Sequence, residues 1–207
     1  MPREALIQSL IDEGYLRTPS IIEAFKKIDR ADFVPEEHKK DAYGNYPLLI
    51  GFGQTISQPL TVAFMLELLE PKAGEKILDI GTGSGWQAAL LARLVGEQGK
   101  VIAVERIPEL FMFAGKNISG YGFIDKGMVK LVNADGSKGY PAEAPFDKII
   151  AAAAAARVPN AWKEQLRIGG RIVAPVRDSI VVLDKKGPNE FEERRHFGFS
   201  FVPLVTD

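Results

Sequence analysis

The chain of 207 residues contains no cysteine, which excludes disulfides, thiolate metal sites and cysteine nucleophiles. Its two histidines, His38 and His196, are too few for a histidine-rich metal centre. No metal is expected, and both imidazoles are assigned to the surface. No window approaches the ~20 apolar residues of a membrane span, and the opening Met-Pro-Arg-Glu-Ala lacks a signal peptide's apolar run. The expectation is therefore a cytoplasmic protein with no membrane partner. An excess of one charge is also missing: 26 basic and 27 acidic residues leave a formal net charge of −1, unlike chains built to hold nucleic acid. What is present suffices for one ordinary domain. Hydrophobic residues make up 46% and charged residues 26%, so a sizeable core can form.

Residues 1–70 read as a helical extension. Ala5, Leu6, Leu10 and Ile11 recur at helical spacing up to Gly14. Thr18-Pro19 reads as an N-cap and a first-turn proline, opening a helix through Ile28. Pro35, Gly44, Pro47, Gly51 and Gly53 mark an irregular stretch, and a third helix starts at Pro59 with Val62, Met65, Leu66 and Leu69 inward. Residues 71–207 then alternate strands and helices. Strands are expected at Lys76–Ile80, Val101–Glu105, Val129–Asn133, Lys148–Ala152 and Arg171–Val176, and helices at Trp86–Leu94, Glu109–Ile118 and Asn160–Leu166. Nearly unbroken apolar strands in such alternation predict a mostly parallel sheet with helices on both faces. Ile180–Asp184 and Glu190–Leu204 read as an antiparallel C-terminal hairpin, with Phe197, Phe199 and Phe201 on one strand face. The fold class is α/β, a Rossmann-like single domain.

Ile77-Leu78-Asp79-Ile80-Gly81-Thr82-Gly83-Ser84-Gly85-Trp86 is a strand entering a glycine-rich turn and then a helix. Such a turn lets a ligand approach the backbone, and the helix start offers open N–H groups. The spacing is G-x-G-x-G, and the bulky Trp86 argues against the close pyrophosphate approach of NAD enzymes. Glu105 ends the next strand 24 residues after Gly81, where a carboxylate can accept from ribose hydroxyls. A plain helix-start acid before Pro108 is its alternative. Asp135-Gly136 ends the third strand, as an adenine contact or as an ordinary Asp-Gly turn. Taken together, Asp79, Gly81, Gly83, Gly85, Glu105, Asp135 and Gly136 are the candidate cofactor residues.

The sequence from about Pro19 to Leu204 resembles the protein-L-isoaspartate O-methyltransferases. Its most specific segment is Ile50-Gly51-Phe52-Gly53-Gln54-Thr55-Ile56-Ser57-Gln58-Pro59, which is similar to that family's signature loop. Phe33-Val34-Pro35-Glu36, Glu105-Arg106-Ile107-Pro108 and Phe201-Val202-Pro203-Leu204 are also similar. The resemblance implies an enzyme that binds S-adenosyl-L-methionine, releases S-adenosyl-L-homocysteine and methylates the α-carboxylate of L-isoaspartyl residues. Its partners would be damaged, isoaspartyl-containing proteins and peptides, met as a monomer. It also implies that Ser57 is the catalytic residue, with Gln54, Thr55 and Ile56 on the substrate side. Backbone N–H groups of Thr55 and Ile56 would share the work, and the competing role for Ser57 is an N-cap of the helix at Pro59.

Four positions depart from the family's pattern. Asn45 stands where Asp is common, Ala152 where Thr is common, Arg177 where glycine is frequent and Trp86 where Tyr is usual. Two alternatives stay open on the sequence: a non-catalytic S-adenosylmethionine-binding regulator, and a methyltransferase of the same fold with another acceptor.

Overall fold

A computed structural model of the protein describes residues 2–206. Three helices come first, α1 (Arg3–Asp12), α2 (Pro19–Lys27) and α3 (Pro59–Leu69). Proline occupies the start of α2 and α3, where its missing N–H costs nothing. Thr18 is the N-cap residue of α2, yet its side chain does not cap that helix. Its hydroxyl donates to Glu67 Oε2 at 2.8 Å, while Glu67 Oε1 accepts the amides of Arg17 and Thr18. This buried carboxylate of α3 thus anchors the chain entering α2.

Between α2 and α3 the irregular reading needs correction. Leu48–Gly51 (β1) and Gln54–Ile56 (β2) form a small antiparallel hairpin, pairing Leu48 with Ile56 and Leu49 with Thr55. Gly51, Phe52 and Gly53 turn it with φ of 91°, 54° and 70°. Glycines that look like loop punctuation are here the hairpin's left-handed turn.

The second part is a seven-stranded sheet ordered β5-β4-β3-β6-β7-β8-β9. Its strands are β3 (Lys76–Ile80), β4 (Lys100–Glu105), β5 (Val129–Asn133), β6 (Phe146–Ala151), β7 (Leu166–Val176), β8 (Ser179–Lys185) and β9 (Phe191–Phe197). The first five run parallel and the last three pair antiparallel. Helices α4 (Trp86–Val95), α5 (Pro108–Ser119) and α6 (Asn160–Gln165) complete it. Side chains alternate across the sheet as its pleat demands. Ile77, Val101 and Ala103 join a core with α2, α3 and α4, whereas Leu78, Ile80, Ile102 and Val104 join another around Trp162. Both faces are buried, which is why the parallel strands are apolar almost throughout.

Two sheet boundaries differ from the sequence reading by more than two residues. β7 starts at Leu166, five residues before Arg171, because the chain passes from α6 directly into pairing with Phe146. The final strand ends at Phe197, not Leu204. Gly198, at φ 93°, turns the chain away, so the three phenylalanines share no strand face. Phe197 is exposed, while Phe199 stacks on Phe64 of α3 with ring centroids 5.2 Å apart. His196 is not a free surface residue either: its ring packs edge-on against Phe64 at 5.2 Å, and its Nε2 is buried. Among the described residues no helix is long and apolar enough to cross a membrane.

Candidate active site

Strand order reverses beside β3: the chain moves outward through β4 and β5, then returns to place β6 on the other flank. The crevice at the carboxyl ends of such strands is where open α/β sheets hold ligands. A cavity lies there, lined by Gly81–Ser84, Trp86 and Gln87 after β3, Glu105–Ile107 after β4, Gly136 after β5, and Ala152 and Ala153 after β6. Gln54, Thr55, Ile56 and Ser57 close it from the N-terminal part, and Val202–Val205 close it from the C-terminal tail. The structure therefore brings Gly81, Gly83, Glu105 and Gly136 into one wall with the 54–57 segment. It leaves Asp79, Gly85 and Asp135 out of the lining.

Each of those three has a visible local role. Asp79 is fully buried beneath the glycine loop, accepting from Thr82 Oγ1 at 2.6 Å and Gln87 Nε2 at 2.7 Å. Burial pushes its carboxyl up to about 6, against the opposing pull of those two hydrogen bonds. It braces the loop from below. Gly85 starts α4 at φ 89°, and a Cβ there would lie 2.9 Å from Ile118 of α5. It permits helix packing more than ligand approach. Asp135 accepts the amide of Ser137 at 2.9 Å and so caps the short turn Gly136–Lys138.

Glu105 lines the cavity and is also the helix-start acid before Pro108. Oε2 accepts the amide of Gly83 at 2.8 Å and Oε1 that of Ile107 at 2.9 Å, tying the glycine loop to the start of α5. A carboxylate offers about four acceptor sites. Two backbone bonds thus leave roughly two for ligand hydroxyls on the cavity side. At Gly83 a Cβ would come within 3.3 Å of Ile50 Cδ1, so a side chain there would press on the hairpin that closes the cavity. The first turn of α4 has no side-chain cap, and Trp86 and Gln87 at its start line the same space.

The 54–57 segment answers one sequence alternative directly. Gln58, not Ser57, is the N-cap residue of α3, and the side chain that serves this helix start is Asn45. Asn45 Oδ1 accepts the amide of Leu60 at 3.0 Å, and Gln58 Nε2 donates back to Asn45 O at 2.9 Å. Asn here keeps the acceptor that Asp would provide. Thr55 and Ile56 pair with Leu49 and Leu48, so the alternation of an antiparallel ladder commits one of their two amides to the hairpin.

Sequence reasoning missed three features in and behind this cavity. Thr82 and Gln87 organise the loop through Asp79, and only proximity in the fold reveals it. The tail strap 202–205 is held by the amides of Ala154 and Leu204, which bond Val202 O and Ala154 O at 2.8 Å. Arg30, buried behind the 54–57 segment, carried no sequence signal beyond its place before Phe33-Val34-Pro35. Arg177, in contrast, lies outside this cavity. It occupies the β7–β8 turn at φ 57°, a left-handed position that explains why glycine suits it.

A family model described as protein-L-isoaspartate(D-aspartate) O-methyltransferase matches residues 1–207. The chain belongs to that family. Protein-L-isoaspartate O-methyltransferases of Methanopyrus kandleri and Ignicoccus hospitalis are 47% and 45% identical to it, each over 99% of this chain and over 92% and 98% of their own length. A solved protein-L-isoaspartate O-methyltransferase superposes with a TM-score of 0.89 at 28% identity, covering 99% of this chain and 66% of the other. A Plasmodium falciparum protein solved in complex with S-adenosyl-L-homocysteine superposes with a TM-score of 0.90 over the whole of both chains; at 22% identity this speaks to the fold. Within the family frame, Trp86 and Ala152 are the two departures that touch the cavity wall.

Proposed function

We propose that this protein is an S-adenosylmethionine-dependent methyltransferase acting on the α-carboxylate of L-isoaspartyl residues in damaged polypeptides. One observation carries the reading: the glycine loop with Glu105 and the 54–57 segment with Ser57 line a single cavity. S-adenosylmethionine suits the residues present. Glu105 keeps acceptor capacity for ribose hydroxyls, Gly136 and Ala153 leave room for a flat ring, and the open amides of α4 suit a carboxylate. Asp79 and Gly85 enter as supports of that site, and Asp135 as the residue that orients Gly136.

When bound, the cofactor supplies an electrophilic sulfonium methyl. The protein's task is then to aim an anion. An isoaspartyl α-carboxylate, with a pKa of about 3.5, is ionised at pH 7 and needs no general base. Ser57 Oγ donates to one carboxylate oxygen and directs the other, with Gln54 and the uncommitted amide of Thr55 or Ile56 beside it. Asn45 serves the helix start, so Ser57 is released from capping. Positioning at roughly 3–3.5 Å gives the intramolecular advantage, and the 202–205 strap limits water access. Residues 1–70 act here as the substrate-side extension and 71–207 as the cofactor core. The same reading has a monomer act in the cytoplasm on polypeptides, not nucleic acid or membranes; a net charge of −1 supports it.

The test is methyl transfer to isoaspartyl and aspartyl versions of one peptide. Methylation confined to the isoaspartyl version is expected. Binding of S-adenosylhomocysteine without transfer to either peptide would favour a regulator instead.

A further inference from the structure

Arg30 is 3% exposed, and no carboxylate lies within ion-pair distance of it among the described residues. Four backbone carbonyls hold its guanidinium. Nη1 donates to Ala42 O at 2.6 Å and Gly44 O at 3.3 Å, and Nη2 to Tyr46 O at 3.0 Å and Ser57 O at 3.1 Å. The guanidinium carbon lies 5.5 Å from the ring centroid of Trp86, and Nε is buried without an acceptor. Arg30 thus touches both walls of the cavity, Ser57 on one side and Trp86 on the other.

This is an unusual way to use an arginine. Burying a charge without a counter-ion is costly, and carbonyl dipoles offset only part of the cost. Burial draws its pKa down to about 10, which still leaves it protonated at neutral pH. A clip needed only to join residues 42–46 to Ser57 would be cheaper with a neighbouring acid or as a neutral side chain. What an uncompensated cation adds is a positive field on the groups beside it, weakly screened because Arg30 is buried.

We infer that Arg30 is a positioning residue for the acceptor: it fixes the Ser57 backbone and, as an unpaired cation, favours a carboxylate over its neutral ester on the Ser57 side of the cavity. The inference rests on the proposed methyl transfer to an isoaspartyl carboxylate. The acceptor enters as an anion and leaves as a methyl ester, so a fixed positive field strengthens substrate binding and weakens product binding. Because the acceptor loses its charge as the methyl arrives, this field acts on KM more than on kcat. The hold on Ser57 is geometric and acts on kcat. One residue therefore has two separable effects, and Lys and Gln at position 30 divide them: Lys keeps the charge without the planar fork, whereas Gln loses both.

The experiment compares binding of an isoaspartyl peptide and of its α-methyl ester to the protein saturated with S-adenosylhomocysteine, where no methyl can be transferred. It is run on the wild type, Arg30→Lys and Arg30→Gln, together with kcat, KM, melting and S-adenosylhomocysteine binding. In the wild type the carboxylate peptide should bind about tenfold or more tightly than the ester, the effect of one charge at a few ångströms under partial screening. Arg30→Lys should keep that ratio and lose kcat. Arg30→Gln should bind S-adenosylhomocysteine normally, lose the ratio and show a raised KM. Equal binding of acid and ester by the wild type would overturn the inference even if Arg30→Gln does not fold, as would an Arg30→Gln protein with an unchanged ratio. A wild type that methylates no isoaspartyl peptide would remove the functional reading and this inference with it; methylation with equal acid and ester binding would remove this inference alone.

Discussion

Replacing Glu105 by Gln tests the cofactor half of the cavity. The carboxylate accepts from Gly83 N at 2.8 Å and from Ile107 N at 2.9 Å, one bond on each oxygen. Glutamine has one oxygen and an NH₂ that accepts nothing. Whichever way the amide turns, one of those two backbone N–H groups meets another donor. Glu105 is 6% exposed, so that amide is poorly reached by solvent, and an unsatisfied buried donor costs about 1–3 kcal/mol. The cost falls on folding, as loosening of the glycine loop or of the start of α5. The variant also turns charge-assisted bonds to ligand hydroxyls into neutral ones, a further ~1 kcal/mol or more. Denaturant unfolding of the ligand-free protein should show a loss of about 1–3 kcal/mol. Calorimetry with S-adenosylhomocysteine should show binding weakened about tenfold to a hundredfold, since each 1.4 kcal/mol is a factor of ten. A folded Glu105→Gln protein with wild-type affinity would refute the reasoning and reduce Glu105 to a loop brace.

Three further outcomes follow from particular contacts. Native Asp79, at about 6, retains a proton that the unfolded chain releases near the ordinary value of 3.8, so its contribution to stability declines as pH rises through that window, by about 3 kcal/mol in all. Asp79→Asn should lack this slope, and parallel unfolding curves for both proteins across the window would contradict the assignment. Asn45→Ala should cost about 0.5–2 kcal/mol as α3 loses the acceptor for Leu60, whereas Ser57→Ala should melt like the wild type and lose methyl transfer; the reverse pattern would return Ser57 to a capping role. Arg177→Gly should raise stability by about 0.5–1 kcal/mol, because relief of a left-handed side chain exceeds the entropy cost of glycine, with kcat/KM unchanged; a drop in activity would connect this turn to the cavity.

The sequence alone determined the parallel sheet, because strands buried on both faces must be apolar over long runs, as Val101–Val104 is. It located the glycine loop and the acid after the next strand, since a tight turn and a strand-end carboxylate are local features. It identified the family through the run from Ile50 to Pro59, where many residues match at fixed spacing. What it could not separate was contact from support. Asp79 lies in the same motif as Gly81, but only the packing of Thr82 and Gln87 shows its carboxylate bound to side chains of the cavity wall and itself outside the lining. Period-two phenylalanines suggested a long last strand, and one left-handed glycine after Phe197 sent the tail back over the site. Ser57 and Pro59 looked like a cap and its helix until Asn45, distant in sequence, supplied the acceptor. Arg30 is the clearest case. Its partners are carbonyls, which every residue carries, so no sequence pattern can point to them, and only the fold placed those of Ala42, Gly44, Tyr46 and Ser57 around one cation.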